Sequence, residues 1–210
     1  MRASVPTLPI PPSARGSPLS RKPFHGLTSF ALVSDRLHIR TATPADAEPL
    51  AALAERTFRD TFATDNAPGD MEAYVRDSFS LDRVRAELAD DANTFLLAFV
   101  GGMEHPTGYA KMRTGTTDPS VTGPDPVELE RLYVDRSALG HGVGAALMRA
   151  CLDAAQSGGY RTLWLGVWER NGRAISFYEK WGFGTVGAHV FELGSANQRD
   201  LIMERPVPGP

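Results

Sequence analysis

The spacing of apolar and polar residues changes along the chain, and each change marks an element. Leu37-His38-Ile39-Arg40-Thr41 alternates and predicts a strand over 37–41. Thr43, Pro44 and Asp46 follow as a cap, a proline at the first helical position and an acid in the first turn. Leu50, Leu53, Ala54, Thr57 and Phe58 then share one helix face. Asp70 is placed to cap a second helix, with Met71, Tyr74, Val75 and Phe79 inward. After Ser80, the spacing of Leu81, Val84 and Leu88 predicts a third, short amphipathic piece. Strand-like runs come next at 94–100, 108–113 and 127–134, and the short link between the first two favours an antiparallel meander. A helix over 142–156 puts Val143, Leu147, Ala150, Cys151 and Ala154 on one side and leads to a strand over 162–167. Strand, helix and strand at that spacing predict a parallel right-handed crossover. A helix near 173–181 and strands near 184–193 and 200–204 close the fold, and no internal repeat is present.

Residues 1–35 lack any such period. Pro6, Pro9, Pro11, Pro12, Pro18 and Pro23 punctuate them, and proline lacks the N–H that helices and sheets use. A disordered or extended Pro-rich tail over 1–35 and one domain over 36–206 are therefore expected. The tail is basic through Arg2, Arg15, Arg21 and Lys22, but it has no apolar core of a secretory signal. Composition narrows the picture further. With 42% hydrophobic and 22% charged residues among 210, the chain reads as an ordinary globular domain. Roughly 170 residues bury about 70% of their unfolded surface, so no disulfide or metal staple is needed. A net charge of −3 argues against a nucleic-acid partner. The single cysteine, Cys151, excludes an internal disulfide and any CxxC site. No apolar run approaches the ~20 residues of a membrane span, so the expected setting is cytoplasmic, with no membrane partner.

Chemistry concentrates in two stretches. In the first, Leu139-Gly140-His141-Gly142-Val143-Gly144-Ala145 lies between a strand and a helix. Glycine lets the backbone turn tightly there, and the first N–H groups of a helix lack internal partners. Together they suit a phosphate or pyrophosphate. The same residues meet the loose dinucleotide pattern G-x-G-x-x-G/A, with Glu169 as a ribose acid. That reading fails on three counts. The loop after Val134 is too long, too few residues follow Glu169 for a second half-sheet, and the segment before Val127 is a meander.

The second stretch is Asn171-Gly172-Arg173-Ala174-Ile175-Ser176-Phe177-Tyr178-Glu179-Lys180-Trp181-Gly182-Phe183. With it, the chain resembles the GCN5-related N-acetyltransferase (GNAT) superfamily. The glycine loop is similar to that superfamily's pyrophosphate motif R/Q-x-x-G-x-G/A, and the second stretch to its N-x-x-A-x-x-F-Y-x-K-x-G-F motif. Order and separation match, and the resemblance covers about residues 37–205. The segments Phe58–Phe62, Leu129–Val134, Trp164–Glu169 and Gln198–Met203 further resemble the PaiA-type branch, whose members include spermidine/spermine acetyltransferases. One departure stands out: Leu139 occupies the position where the superfamily prefers Arg or Gln. His141 is the residue that could take over its side-chain contact.

The resemblance implies an α/β fold, a mixed, twisted sheet of roughly seven strands with helices on both faces and a splayed parallel pair. It implies acetyl-CoA as co-substrate, bound by Leu132, Tyr133 and Val134, by Leu139 to Ala145 (Gly140, His141, Gly142, Val143 and Gly144 between them), and by Asn171, Arg173, Ala174, Tyr178 and Lys180. No metal is implied. Tyr178 aligns with the acid that protonates the leaving thiolate. Glu128 and Glu130, two residues apart on one strand, project to one face, and either suits the general base. The reaction implied is direct attack of an amine on the thioester in a ternary complex. The PaiA-like segments imply a primary amine as acceptor, a polyamine or related small molecule, and acids at Asp60, Asp65, Asp70 and Glu72 could attract a polycation; homodimers are common in the superfamily. A peptide, amino-acid or antibiotic amine is the alternative within the class, and a non-catalytic acyl-CoA-binding regulator the alternative outside it. Cys151 reads as a small core residue, His38 and His189 as histidines without metal-ligand companions, and Trp164, Trp168 and Trp181 as packing.

Overall fold

A computed structural model describes residues 30–34, 37–193 and 196–209. Eight strands form one sheet in the order β1-β2-β3-β4-β5-β6-β8-β7. They are β1 (Phe30–Ser34), β2 (Leu37–Thr41), β3 (Asn93–Val100), β4 (Gly108–Arg113), β5 (Pro126–Val134), β6 (Thr162–Trp168), β7 (Gly184–Leu193) and β8 (Ala196–Pro206). All neighbours are antiparallel except β5 and β6, which run parallel. From Leu37 onward this is the expected seven-stranded mixed sheet. The difference lies ahead of it: β1 adds an edge strand beside β2, inside the stretch read as tail. The short Phe30-Ala31-Leu32-Val33 run supplies apolar and β-branched residues that the prolines upstream lack. The rest of that tail, residues 1–29 and 35, lies outside the described residues.

Helices α1 (Ala47–Phe62), α2 (Pro68–Phe79) and α3 (Leu81–Ala89) cover one face, and α4 (Val143–Ser157) and α5 (Gly172–Lys180) the other. The capping pattern before α1 forms as read: Thr43 N and Oγ1 both donate to Asp46 Oδ2, at 2.7 and 2.9 Å. Arg40 donates to both oxygens of the same carboxylate and is the main cause that holds it down to about 2. The reading of α2 is corrected. Pro68, not Asp70, opens the helix, and Asp70 falls inside its first turn.

Alternation along each strand sorts the core into two layers. Leu96, Ala110, Met112, Leu129, Leu132 and Leu165 pack under α4, with Cys151 among them. Phe95, Leu97, Tyr109 and Tyr133 pack under α1 to α3. No helix among the described residues is long and apolar enough to cross a membrane.

Candidate active site

The parallel pairing of β5 and β6 is brief. Pro126, Val127 and Glu128 pair with Thr162, Leu163 and Trp164, and no pairing continues towards Val134 and Trp168. β6 instead stays paired to β8 along its whole length. The two parallel strands therefore splay, and the gap opens towards the C-terminal end of β5. From there the chain turns through Asp135, which accepts from Ser137 N at 2.9 Å, into the glycine loop and α4.

Gly140 and Gly142 have φ of +85° and +77°, a region that disfavours residues with a Cβ, and both face open space. The first intrahelical bond here runs from Ala146 N to Gly142 O, so the N–H groups of Val143, Gly144 and Ala145 precede the ladder. They border a cleft of about 400 Å³. Val134, Ala138, Leu139 and the loop glycines form one wall, and Arg173, Ser176, Phe177 and Lys180 of α5 the other. Two exposed cations thus face a helix N-terminus, and no acid lines the cleft. That donor set fits a diphosphate. Leu139 contributes to the wall despite lacking a polar side chain, whereas His141 is exposed and does not line the cleft. The side-chain oxygen of Asn171 accepts from Ala174 N at 3.1 Å and caps α5, and Ala174 is fully buried.

Tyr178 is buried in the α4-side core, its ring edge-on to Phe177 and Phe183 at 5.5 and 5.7 Å. Tyr133 belongs to the opposite layer and stacks on Tyr109 at 5.6 Å. Burial pushes the Tyr133 phenol well above its ordinary value, and Tyr109 and Tyr74 add to the push.

The two carboxylates on β5 have different surroundings. Glu128 accepts from Thr116 Oγ1 at 2.7 Å. Glu130 sits at a bulge, because Lys111 pairs with Arg131 while Met112 pairs with Leu129. Its Oε1 is 2.9 Å from Lys111 Nζ and 3.5 Å from Arg131 Nη2. Glu87 of α3 closes the cluster, 3.0 Å from Lys111 and 2.9 Å from Arg131. Burial alone would raise the Glu130 carboxyl, but Lys111 and Arg131 outweigh it and hold it well below the usual range. The acids read as a cationic lure are partly paired: Glu72 takes a bidentate contact from Arg59, and Asp60 an ion pair from Arg136 at 3.4 Å.

Three features were not legible in sequence. The ion cluster draws on residues 87, 111, 130 and 131, which no local spacing connects. His189 Nδ1 lies 3.3 Å from Asp118 Oδ2, a pair 71 residues apart. Asp200 is fully buried, and both its oxygens lack a hydrogen-bond partner. Trp164 is buried beside Ile202 as packing, and burial pushes the Cys151 thiol up.

The sequence profile described as Acetyltransferase (GNAT) family matches residues 53–183. An uncharacterized N-acetyltransferase of Mycobacterium bovis is 35% identical over 163 residues, covering 77% of this chain and 98% of its own. An uncharacterized N-acetyltransferase of Lactobacillus delbrueckii subsp. lactis, from the pepI 3' region, is 31% identical over 156 residues, covering 74% and 89%. Among solved structures, the PaiA N-acetyltransferase of Thermoplasma acidophilum in complex with coenzyme A superposes with a TM-score of 0.63. It is 22% identical, with 81% of this chain and 98% of that one covered, which is a likeness of fold.

Proposed function

The chain belongs to the acetyltransferase (GNAT) family, and from that premise we propose that this N-acetyltransferase moves acetyl from acetyl-CoA to a primary amine of a small molecule, polyamines and related amines being the leading acceptor class. The observation that carries the reading is the acid-free cleft at the N-terminus of α4, open beside the splayed end of β5. The N–H groups of Val143, Gly144 and Ala145 take the diphosphate, with Arg173 and Lys180 opposite. Backbone groups of Leu132, Tyr133 and Val134, past the point where β5 parts from β6, hold the pantetheine arm and donate to the carbonyl oxygen as it gains charge.

A protonated amine has its reference value near 10.4, so presenting it neutral at pH 7.5 costs roughly 4 kcal/mol. Glu128 takes that proton, directly or through water. Glu130 does not, because Lys111, Arg131 and Arg113 hold its charge and a proton would have to displace them. The amine nitrogen attacks the thioester carbon, the C–S bond breaks, and Tyr178 gives its proton to the departing sulfur. Direct attack is favoured because the one cysteine, Cys151, is buried in the core. Release of free thiol from acetyl-CoA, measured with a panel of mono-, di- and polyamines, tests the reading. Turnover on small amines is expected. Tight CoA binding without release on any amine would instead favour an acyl-CoA-binding regulator.

A further inference from the structure

We propose that the Asp200 carboxylate, with His189 beside it, binds a cationic group of the acceptor remote from the amine that is acetylated. This rests on the acetyl-transfer reading and assigns the residue that selects among its acceptors.

Asp200 stands in the middle of a three-strand row. It is register partner to Trp168 on β6 and to His189 on β7. Directly opposed side chains share a face, with Cβ atoms roughly 5 Å apart. Met203 on β8 joins the α4-side core, whereas Ile202 packs with Trp164 on the opposite face. Alternation puts Asp200 with Ile202, on the side of α1 to α3. Trp168 confirms the side, since its ring lies 6.0 Å from Phe62 of α1. Glu128, opposite Trp164, is on this face as well, so the base and Asp200 flank the splay from its two strands.

The row presents acceptors and no cation to match them; the indole N–H of Trp168 is a neutral donor. Asp118 is pinned by Ser120 N at 2.8 Å, and its other oxygen is the one near His189 Nδ1. An Nδ1–H directed at that carboxylate leaves His189 Nε2 as an acceptor, and Nε2 is buried without a partner. Both Asp200 oxygens are likewise buried without a partner. The nearby charges do not serve: Glu169 is itself an acid, and Arg199 is paired with it at 3.0 Å. A carboxylate buried without a partner is costly. An alkylammonium supplies three N–H donors and the missing charge, with half-buried Trp168 offering an aromatic face alongside. An acceptor with a second cation would therefore be held by one end while its other amine reaches the gap.

The test compares butanediamine with aminobutanol, which has the same length but a neutral far end. In Asp200→Asn, the ratio of kcat/KM for the diamine over the amino alcohol should fall ~10- to 100-fold, through KM, as expected for loss of a charge-assisted contact. A retained CoA-induced thermal shift in the variant verifies that it is folded. An unchanged ratio overturns the proposal, and so does a loss of kcat shared equally by both compounds, which would make Asp200 a base. If the wild type acetylates neither compound, the transferase reading of the acceptor fails separately. Calorimetric titration with butanediamine then decides: heat lost in Asp200→Asn supports the site, and equal or absent heat in both proteins rejects it.

Discussion

Glu128 is the last residue of β5 to pair with β6, directly opposite Trp164, and beyond this pair the two parallel strands part. The carboxylate therefore stands at the root of the gap, hydrogen-bonded to Thr116 but outside the ion cluster that holds Glu130. One residue, Leu129, separates the carboxylates in sequence, and a bulge separates their environments.

Their substitutions should accordingly fail in different ways. Glu128→Gln should lower kcat/KM most at low pH, where the amine is protonated, and recover part of the loss as pH rises. Its melting temperature should change little. Glu130→Gln should destabilise the fold by about 3 kcal/mol, because it leaves Glu87 as the one buried acid facing both Lys111 and Arg131. A pH-independent loss in Glu128→Gln would remove it as the base, and an undisturbed Glu130→Gln would show that the cluster tolerates losing its central acid.

The diphosphate cradle is best tested at Gly144. Gly140 and Gly142 have positive φ, so a side chain there strains the loop whether or not a ligand binds. Gly144 is helical, and a Cβ on it would meet Val134 at 3.7 Å and Phe177 at 3.9 Å, ordinary contact distances. Gly144→Val should thus fold yet crowd the cleft. CoA at a hundredfold excess over its Kd adds about 2.7 kcal/mol to the wild type, a rise of several degrees in Tm. That rise should be absent in the variant. A full shift in Gly144→Val would place the diphosphate elsewhere.

What could be read from the sequence follows from how local each signal is. The helices declared themselves through apolar spacing, as at Leu50, Leu53, Ala54 and Phe58, all buried. The glycine loop was legible because turn and helix start are contiguous. The splay was reached only through family resemblance, since nothing near Glu128 or Trp164 records where pairing stops. Glu130 illustrates the limit: its neighbours Lys111 and Glu87 arrive from β4 and α3, and a bulge decides which way it faces. Asn171 also reads ambiguously, because a helix cap and a ligand contact ask for the same amide at the same place.

The buried Asp200 gives stability a distinctive pH dependence. Burial first, and then Glu169, push its carboxyl up to about 7. The unfolded chain titrates it near 3.9. A group raised on folding contributes its stability in full below the unfolded value and loses it as pH climbs through the folded one. Wild-type stability should therefore decline between about pH 4 and 7 on this account and level off above. Asp200→Asn keeps the shape without the charge, so it should flatten that decline and exceed the wild type at pH 8. Urea midpoints across the range measure both. Parallel curves for the two proteins would mean that a cation already neutralises Asp200 in the folded state.

Tyr178→Phe isolates the acid. It keeps the ring between Phe177 and Phe183 and removes only the hydroxyl. The leaving thiol has a reference value near 8.5, so unassisted departure at neutral pH produces a charged thiolate in a largely buried site. A positioned proton donor is worth roughly 10²–10⁴ in rate, and kcat should fall by that factor while KM for acetyl-CoA changes little. The fall must be read where chemistry limits turnover, which single-turnover mixing of enzyme, acetyl-CoA and amine ensures. Tyr178 is fully buried, and a charged phenolate left there would lack solvation. A Tyr178 that gives up its proton must therefore regain it quickly, and the amine's proton, passed on from Glu128 or through water, is the nearest supply. On that account the double variant Glu128→Gln/Tyr178→Phe should lose less than the product of the single losses, since each change disables the same proton circuit. Independent, multiplying losses would show that acid and base do not exchange protons, and a wild-type kcat in Tyr178→Phe alone would remove the tyrosine from the chemistry.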